Sequence, residues 1–461
     1  MLECPTFSAW SVMNSVERKA VSTLALIYAL RMFGLFMVLP VLALYAEDYQ
    51  GASAFLLGMA MGAYGLTQAV FQIPFGIFSD RIGRKPVLIV GLVIFALGSV
   101  LAATSDNIWG LIAGRALQGA GAIASTLMAL LTDLTREESR TKAMASVGAS
   151  IGLSFSVAMV VGPAIGGQLG LSGLFLLTAL LSVLAILLVI FVVPTPVRQS
   201  RAAETGAFWK HIGNVARDTQ LVRLCAGIFI LHLVMVACFV VVPKELVEDG
   251  LLKSEHWKIY LPIMFIAFVI MVPFIIVAEK RQRMKEVMLI AVALLCVAVA
   301  VLGAGSGLLV LIAGLGLFFI AFNILEASLP SLVSKFAPAG YKGAAMGFYS
   351  TCQFSGAFVG GAVGGITAQH LGADKVFWVV LPLVVLWLVL VATMAKPRYL
   401  TSYMLAVKVA NTAQSEQVVN SLMAVPGVCE AVVMQELQTA YLKVDPKVFD
   451  PKHLSIIESG T

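Results

Sequence analysis

Charge is scarce in this sequence. Only 12% of its 461 residues are charged, while 60% are hydrophobic. A soluble chain of this length carries about a quarter charged residues, and this one could not keep its apolar surface from water. The scarcity excludes an ordinary soluble globular protein and implies an integral membrane protein. Cysteine is sparse and scattered, at Cys4, Cys225, Cys238, Cys296, Cys352 and Cys429, with no CxxC pair. That excludes a disulfide framework and a zinc site; most of these residues fall in apolar runs, where cysteine acts as a small hydrophobe. Nucleophile–base motifs, phosphate loops and metal-ligand clusters are missing as well. An enzyme is therefore not expected, nor is any cofactor or metal. The net charge of +6 does not imply a nucleic-acid partner, because its distribution along the chain has another cause. No cleavable signal peptide is expected either. The first long apolar run starts near Ala20, is too long for a signal core, and lacks a small-residue cleavage site.

What is present is a series of apolar runs. A spanning helix needs roughly 20 apolar residues. Twelve candidates meet that length: 20–46, 53–79, 85–104, 107–132, 142–169, 172–194, 221–246, 256–278, 286–304, 307–334, 341–370 and 374–395. Lys and Arg concentrate in alternate loops, among them Arg81, Arg84, Lys85, Arg136, Arg140, Lys142, Lys280, Arg281, Arg283, Lys285, Lys335 and Lys342. The other loops hold only Lys244, Lys253, Lys258 and Lys375. The positive-inside bias puts both termini in the cytoplasm.

The chain divides in the middle. Residues 1–19 read as a poorly ordered cytoplasmic tail, 20–194 as one six-helix half and 221–395 as another. The linker 195–220 is expected to carry a short amphipathic surface helix, with Phe208, Trp209, Ile212, Val215 and Ala216 at helical spacing. The second half repeats the first. Span two ends in IPFGIFSDRIGRK and span eight in VPFIIVAEKRQRMK. Aligned, Pro74 matches Pro273, Asp80 matches Glu279, Arg81 matches Lys280 and Arg84 matches Arg283. Gly76 and Gly83 have become Ile275 and Gln282. A faded copy at the same place in each half marks an internal repeat.

Three motifs carry a family resemblance. GIFSDRIGRK, from Gly76, resembles the loop signature of the major facilitator superfamily, with Phe78 for its usual leucine. LIAGRALQGAGA, holding Arg115, Gln118 and Gly119, resembles that family's fourth-span motif. AMVVGPAIGG, holding Gly162, Pro163, Gly166 and Gly167, resembles its fifth-span antiporter motif, with Ala158 for the first glycine. The resemblance covers about residues 15 to 398. It implies an all-α membrane protein of twelve transmembrane helices in two pseudo-symmetric six-helix halves.

The charges packed between Gly76 and Pro86 need more than an anchoring role, because acidic residues contribute little to topology. Asp80 stands at the cytoplasmic mouth, and the start of span eleven, near Tyr341 to Gly343, is expected on the same side. A helix N-terminus carries partial positive charge, so Asp80 there would latch the halves together. Arg84 can pair with Asp80 and with Asp133, and the resemblance implies the same network. Gly76, Asp80, Arg81, Gly83, Arg84, Lys85 and Asp133 are thus read as a latch that closes the inner mouth in the outward-facing state. The glycines of span five are expected to thin one helix face for packing against span eight. The resemblance associates that motif with exporters.

Ionisable groups inside spans are functional candidates by default. Arg31, His232 and Glu326 lie within spans one, seven and ten, with Tyr64, Gln68, Gln72 and Asn323 adding hydrogen-bonding groups. Glu326 and His232 are proton candidates; Arg31 and Arg115 could hold an anionic group. The first six spans have no midplane carboxylate, which argues against proton coupling and against cationic drugs as substrates.

After Pro397 the hydrophobicity drops. Residues 401–461 read as a small α+β domain: a strand in YMLAVKVAN, a helix in SEQVVNSLMAV with Ser415 as cap, strands at Val428–Gln435 and Thr439–Val444, and a helix in Pro446–Ser459. This resembles the ferredoxin-like fold of heavy-metal-associated domains, without their CxxC. A regulatory or self-associating role is expected, since so small a sheet can pair along an edge. Together these features point to a proton-coupled exporter of small amphipathic molecules in a bacterial inner membrane. Its expected partners are a small-molecule substrate, protons and the lipid bilayer. Two alternatives stand beside it: a metabolite or sugar importer or uniporter, and a non-transporting sensor signalling through its C-terminal domain.

Overall fold

The computed structural model describes residues 13–195, 213, 215–305, 307–339, 341–407, 409, 411–435 and 438–450. The first residues of the N-terminal tail, nearly all of the expected linker helix and residues 451–461 of the expected final helix lie outside that set.

The chain is a helical bundle followed by a small sheet domain. Its helices are α1 (Ser15–Tyr45), α2 (Ala54–Ile82), α3 (Arg84–Thr104), α4 (Ile108–Ala120), α5 (Ala124–Asp133), α6 (Glu137–Phe191), α7 (Thr219–Glu248), α8 (Trp257–Lys280), α9 (Met284–Ala304), α10 (Leu308–Phe336), α11 (Lys342–His370) and α12 (Lys375–Ala392). Among the described residues, nine helices are each long and apolar enough to cross a membrane.

The twelve expected spans are recovered with two differences. Span four is two helices, α4 and α5, broken at Gly121, where the backbone turns to φ −73°, ψ 55°. The freed Gly121 carbonyl accepts from Arg31 Nη2 at 2.9 Å and from Ile123 N at 3.0 Å, so the break is satisfied rather than merely tolerated. Spans five and six run together as α6, bent at Gly170, whose φ is 63°. The start of the first helix is chemically fixed. Asn14 caps α1, its Oδ1 accepting from Glu17 N at 2.8 Å while Glu17 Oε2 accepts from Asn14 N at 2.9 Å. That reciprocal pair satisfies two otherwise orphaned donors. Glu17 also binds Arg136 Nε at 3.0 Å, tying α1 to the start of α6.

Within each half the helices pack around separate apolar clusters, one of which runs across into the C-terminal half. The halves meet along three seams: α2 on α11, α1 on α7, and α6 on α8 with the 253–255 turn. On the first seam Gly58 and Gly361 face each other so closely that a Cβ on either would strike the other's carbonyl oxygen. Small residues let helix backbones approach in this way.

The C-terminal domain has a three-stranded antiparallel sheet in the order β1-β3-β2. Its strands are β1 (Thr401–Ala406), β2 (Val428–Met434) and β3 (Thr439–Val444), and α13 (Thr412–Met423) packs against the sheet. The cap of α13 is Asn411, whose Oδ1 accepts from Gln414 N at 2.8 Å. Ser415 instead lies inside the helix and donates to Asn411 O at 3.2 Å, which corrects the expected cap. The domain touches the bundle where α10 ends. Lys443 Nζ donates to Lys335 O at 3.0 Å, and Glu430 Oε2 accepts from Ala339 N at 3.3 Å.

Candidate substrate and proton site

The motif around Asp80 folds into a tight charge cluster. Gly83 ends α2 with φ 110° and ψ 151°, a region open only to glycine. That turn swings Arg84 back over the end of α2. Arg84 pairs with Asp80, donates from Nε to Asp133 Oδ2 at 3.1 Å, and donates from Nη1 to Ser79 Oγ at 2.7 Å. Arg84 is 4% exposed. Among the described residues Asp80 forms its ion pair here, within its own half, and not with the start of α11. At that start, a Cβ added to Gly343 or Gly347 would meet open space. The expected contact of Asp80 with span eleven is therefore absent from this conformation. The aligned acid in the other half, Glu279, pairs with Lys335 Nζ at 2.9 Å and accepts from Ser331 Oγ at 2.9 Å. Both halves thus tie the end of their second helix to the end of their fourth.

Contacts between the halves gather at the opposite end of the bundle. Glu47 pairs with Lys244. Lys253 Nζ donates to Leu44 O at 2.6 Å, and Phe55 N donates to Gln369 Oε1 at 3.0 Å. Lys244 holds the Glu47 carboxyl below the ordinary carboxylate range, mainly through their hydrogen bond. Toward the Asp80 end, Gln72 Nε2 still reaches Gly347 O at 3.1 Å and Thr351 Oγ1 at 3.0 Å.

The fifth-span glycines pack on a different partner from the expected one. A Cβ on Gly162 would lie 2.5 Å from Met37 O, and one on Gly166 would lie 2.8 Å from Val41 Cγ1, both on α1. A Cβ on Gly167 would lie 2.7 Å from Ser254 Cβ, in the other half. Span one, in the same half, takes the place expected of span eight. Pro163 lies inside this stretch of α6.

In the C-terminal half, two separately predicted residues come together. His232 on α7 and Glu326 on α10 are joined by Gln353 of α11. Gln353 Nε2 lies 3.0 Å from His232 Nε2 and 3.0 Å from Glu326 Oε1. His232 Nδ1 lies 3.3 Å from Ile228 O, which fits a neutral ring with its hydrogen on Nδ1 and Nε2 accepting. Glu326 Oε2 stands 3.9 Å from His232 Nε2 and, among the described residues, has no hydrogen-bond partner. The Glu326 side chain is 36% exposed and that of His232 10%, although Oε2 itself is buried. Phe322 lies beside His232 and stacks with Phe155 of α6, which meets Phe36 of α1 edge-on. This aromatic row runs from one half into the other. Asn323 Nδ2 and Tyr349 Oη are also buried without partners. Sequence reasoning missed Gln353. Its signal was an amide within a span, the same signal that singled out Gln68.

The N-terminal half holds an arginine network instead of an acid. Arg31 Nη2 donates to Gln68 Oε1 at 2.9 Å, and Tyr64 Oη donates to the same oxygen at 3.3 Å. Arg115 donates to Gln118 Oε1 at 2.7 Å and to Ala60 O at 3.3 Å, with its guanidinium 5.2 Å from the Tyr64 ring centroid. Gln118 passes on to Ser99 Oγ at 2.8 Å. Gly119 lets α4 press on Tyr64 and Thr67.

Comparison with known proteins agrees with this architecture. Residues 24–361 and 259–403 match the family described as Major Facilitator Superfamily. The chain is 48% identical over 437 residues to the inner membrane transport protein YajR of Escherichia coli (strain K12), covering 95% of this chain and 96% of that protein. It is 33% identical over 129 residues to the class E tetracycline resistance protein of Escherichia coli, covering 27% of this chain and 32% of that protein. Its fold resembles the crystal structure of a D-xylose–proton symporter, with a TM-score of 0.67, 16% identity, and coverage of 82% of this chain and 98% of that one. The chain belongs to the major facilitator superfamily and is a multi-pass membrane transporter, not an enzyme.

Proposed function

We propose that this protein is a proton-driven exporter of small amphipathic molecules in a bacterial inner membrane. The carrying observation is the Glu326–Gln353–His232 linkage, a carboxyl and an imidazole sharing one amide in the interior of the half that meets α1, α2 and α6. Intramembrane ionisable groups of this kind mark ion pathways, and transporter sites form between repeats near the midplane. A proton on Glu326 would remove the charge that holds the Gln353 amide. The amide could then turn, and the aromatic row across the halves would feel the change. The similarity to YajR, named an inner membrane transport protein, supports the membrane, and the partial similarity to a tetracycline resistance protein supports a small drug-like substrate.

In this reading both termini are cytoplasmic, the Glu47 end faces outward, and the conformation is closed outside. The cluster of Asp80, Arg84 and Asp133 is then the released latch, which re-forms across the halves when the inner mouth closes. Exposed apolar side chains such as Phe265, Leu180 and Leu153 fit a bilayer as solvent. The C-terminal domain, seated on the loop after Lys335, is placed to sense or bias that closure.

Direction is tested in inverted vesicles with an imposed gradient, acid inside. Accumulation of a hydrophobic test compound that collapses with an uncoupler supports export. Uptake only in right-side-out vesicles would support the importer reading instead.

A further inference from the structure

Among the described residues, the N-terminal half buries guanidinium nitrogens that meet no acceptor. Arg31 is 1% exposed and Gln68 is fully buried. Arg31 spends Nη2 on Gln68 and on the Gly121 carbonyl. Among the described residues its Nε and Nη1 have no hydrogen-bond partner, and neither has Gln68 Nε2. The Gln68 oxygen is already taken by Arg31 and Tyr64, which leaves its amide nitrogen as an unused donor beside the guanidinium. The surrounding groups are rings: Phe95 lies 5.2 Å and Tyr64 6.0 Å from the Arg31 guanidinium carbon. Arg115, also beside the Tyr64 ring, is likewise held by an amide and a carbonyl.

A buried cation without a counter-charge is costly, and orphaned buried donors call for an explanation. A water molecule answers part of this need, but it brings no charge to balance the buried guanidinium. An anion brings acceptors alone and the missing charge. A guanidinium presents its donors in a fixed fork that suits a carboxylate.

We infer that Arg31, with Gln68, forms a binding site for a monovalent anionic group, either the carboxylate of a transported molecule or a free inorganic anion such as chloride. The organic source rests on the transport reading above; anion binding itself does not. The site lies in the N-terminal half, whereas the carboxyl–imidazole pair lies in the C-terminal half. An anionic substrate would therefore bring its charge to the half whose spans hold no midplane carboxylate, leaving Glu326 free for protons.

The test is equilibrium binding to the purified full chain in detergent, at constant ionic strength, with radiolabelled chloride and radiolabelled benzoate as separate probes. Saturable binding of either probe is expected. Arg31→Gln should weaken it at least tenfold, Arg31→Lys should weaken it less, and Gln68→Leu, which keeps the charge, should weaken it severalfold. Chloride binding that benzoate cannot displace assigns the inorganic source. Benzoate binding that chloride cannot displace assigns the carboxylate. Failure of both probes to bind the wild type would overturn the inference, as would binding left unchanged in Arg31→Gln and Gln68→Leu. Gel filtration of each variant separates misfolding from lost binding, and Gln68→Leu carries the test if Arg31→Gln does not fold. Because no transport is measured, either result leaves the direction and coupling of transport to their own assays.

Discussion

Gln282 occupies in the second half the turn that Gly83 occupies in the first, and both have a positive φ, 56° and 110°. The repeat has kept a positive φ at this turn while losing the glycine. Glycine at φ above zero avoids a Cβ clash worth roughly 1–2 kcal/mol. Gly83 lies in the more restrictive region, with ψ 151°. Gly83→Ala should therefore cost on the order of 1–3 kcal/mol, whereas Gln282→Gly should be neutral or stabilising. Thermal unfolding of the two variants in detergent checks the contrast; equal losses would remove the backbone explanation.

Asp133 and Asp80 hold the same arginine but differ in burial. The Asp133 side chain is 2% exposed and that of Asp80 26%. Removing one partner of a buried ion pair costs about 3–5 kcal/mol, so Asp133→Ala should lower folding stability by that order. Asp80→Asn should cost less stability and should instead depopulate the outward-facing state. Spin-label distances across the Asp80 end would report that shift. A stable Asp133→Ala, or an Asp80→Asn with unchanged distances, would leave these charges as a simple anchor.

The Glu47–Lys244 pair makes closure of its end depend on pH. The bridge lowers the Glu47 carboxyl below its ordinary range, so the bridged state holds the charge to lower pH than the open state. Closure is therefore favoured above the ordinary carboxylate range, and that contribution is lost as pH falls through the lowered value. The pair is solvent-exposed, and such pairs are worth about 0–1 kcal/mol, a shift of at most about fivefold in population. Labels at Asp48 and Asp249 should separate in Glu47→Gln, and at acid pH in the wild type. Distances unmoved by both would show that the bridge is incidental.

Lys443 of β3 is 4% exposed and spans Glu430 and the Lys335 carbonyl. Lys443→Ala should leave Glu430 without its charge partner and loosen the domain from the bundle. Faster hydrogen exchange around Lys335 and Ala339, with the sheet itself protected, is the expected result. Exchange that rises equally across β1, β2 and β3 would mean that Lys443 serves the domain's own fold.

Much of this architecture was legible in the sequence because bilayer thickness and charge asymmetry act on long segments. The spans, the division into halves and the Asp80 motif follow from apolar length and from the clustering of Arg84 and Lys85. The break at Gly121 was not legible, since it depends on Arg31, 90 residues away, accepting the role of hydrogen-bond donor to the freed carbonyl. The partner of the fifth-span glycines was also hidden, because a thin helix face says what can approach but not which helix does. Gln353 escaped notice for a similar reason: helical spacing places it on α11, and only the packing of α7, α10 and α11 aims it between His232 and Glu326. At Asn411 the signal was local, an Asx residue three positions before Gln414, and was read one turn too late.

The central claim is that Glu326 carries the coupled proton. The most direct measurement is substrate-evoked proton flux in proteoliposomes with an internal pH dye, comparing wild type with Glu326→Gln across a panel of hydrophobic cations, sugars and carboxylates. The account predicts flux in the wild type with at least one compound and its abolition in Glu326→Gln, with the variant still folded. Flux that Glu326→Gln retains would contradict it and move the proton elsewhere.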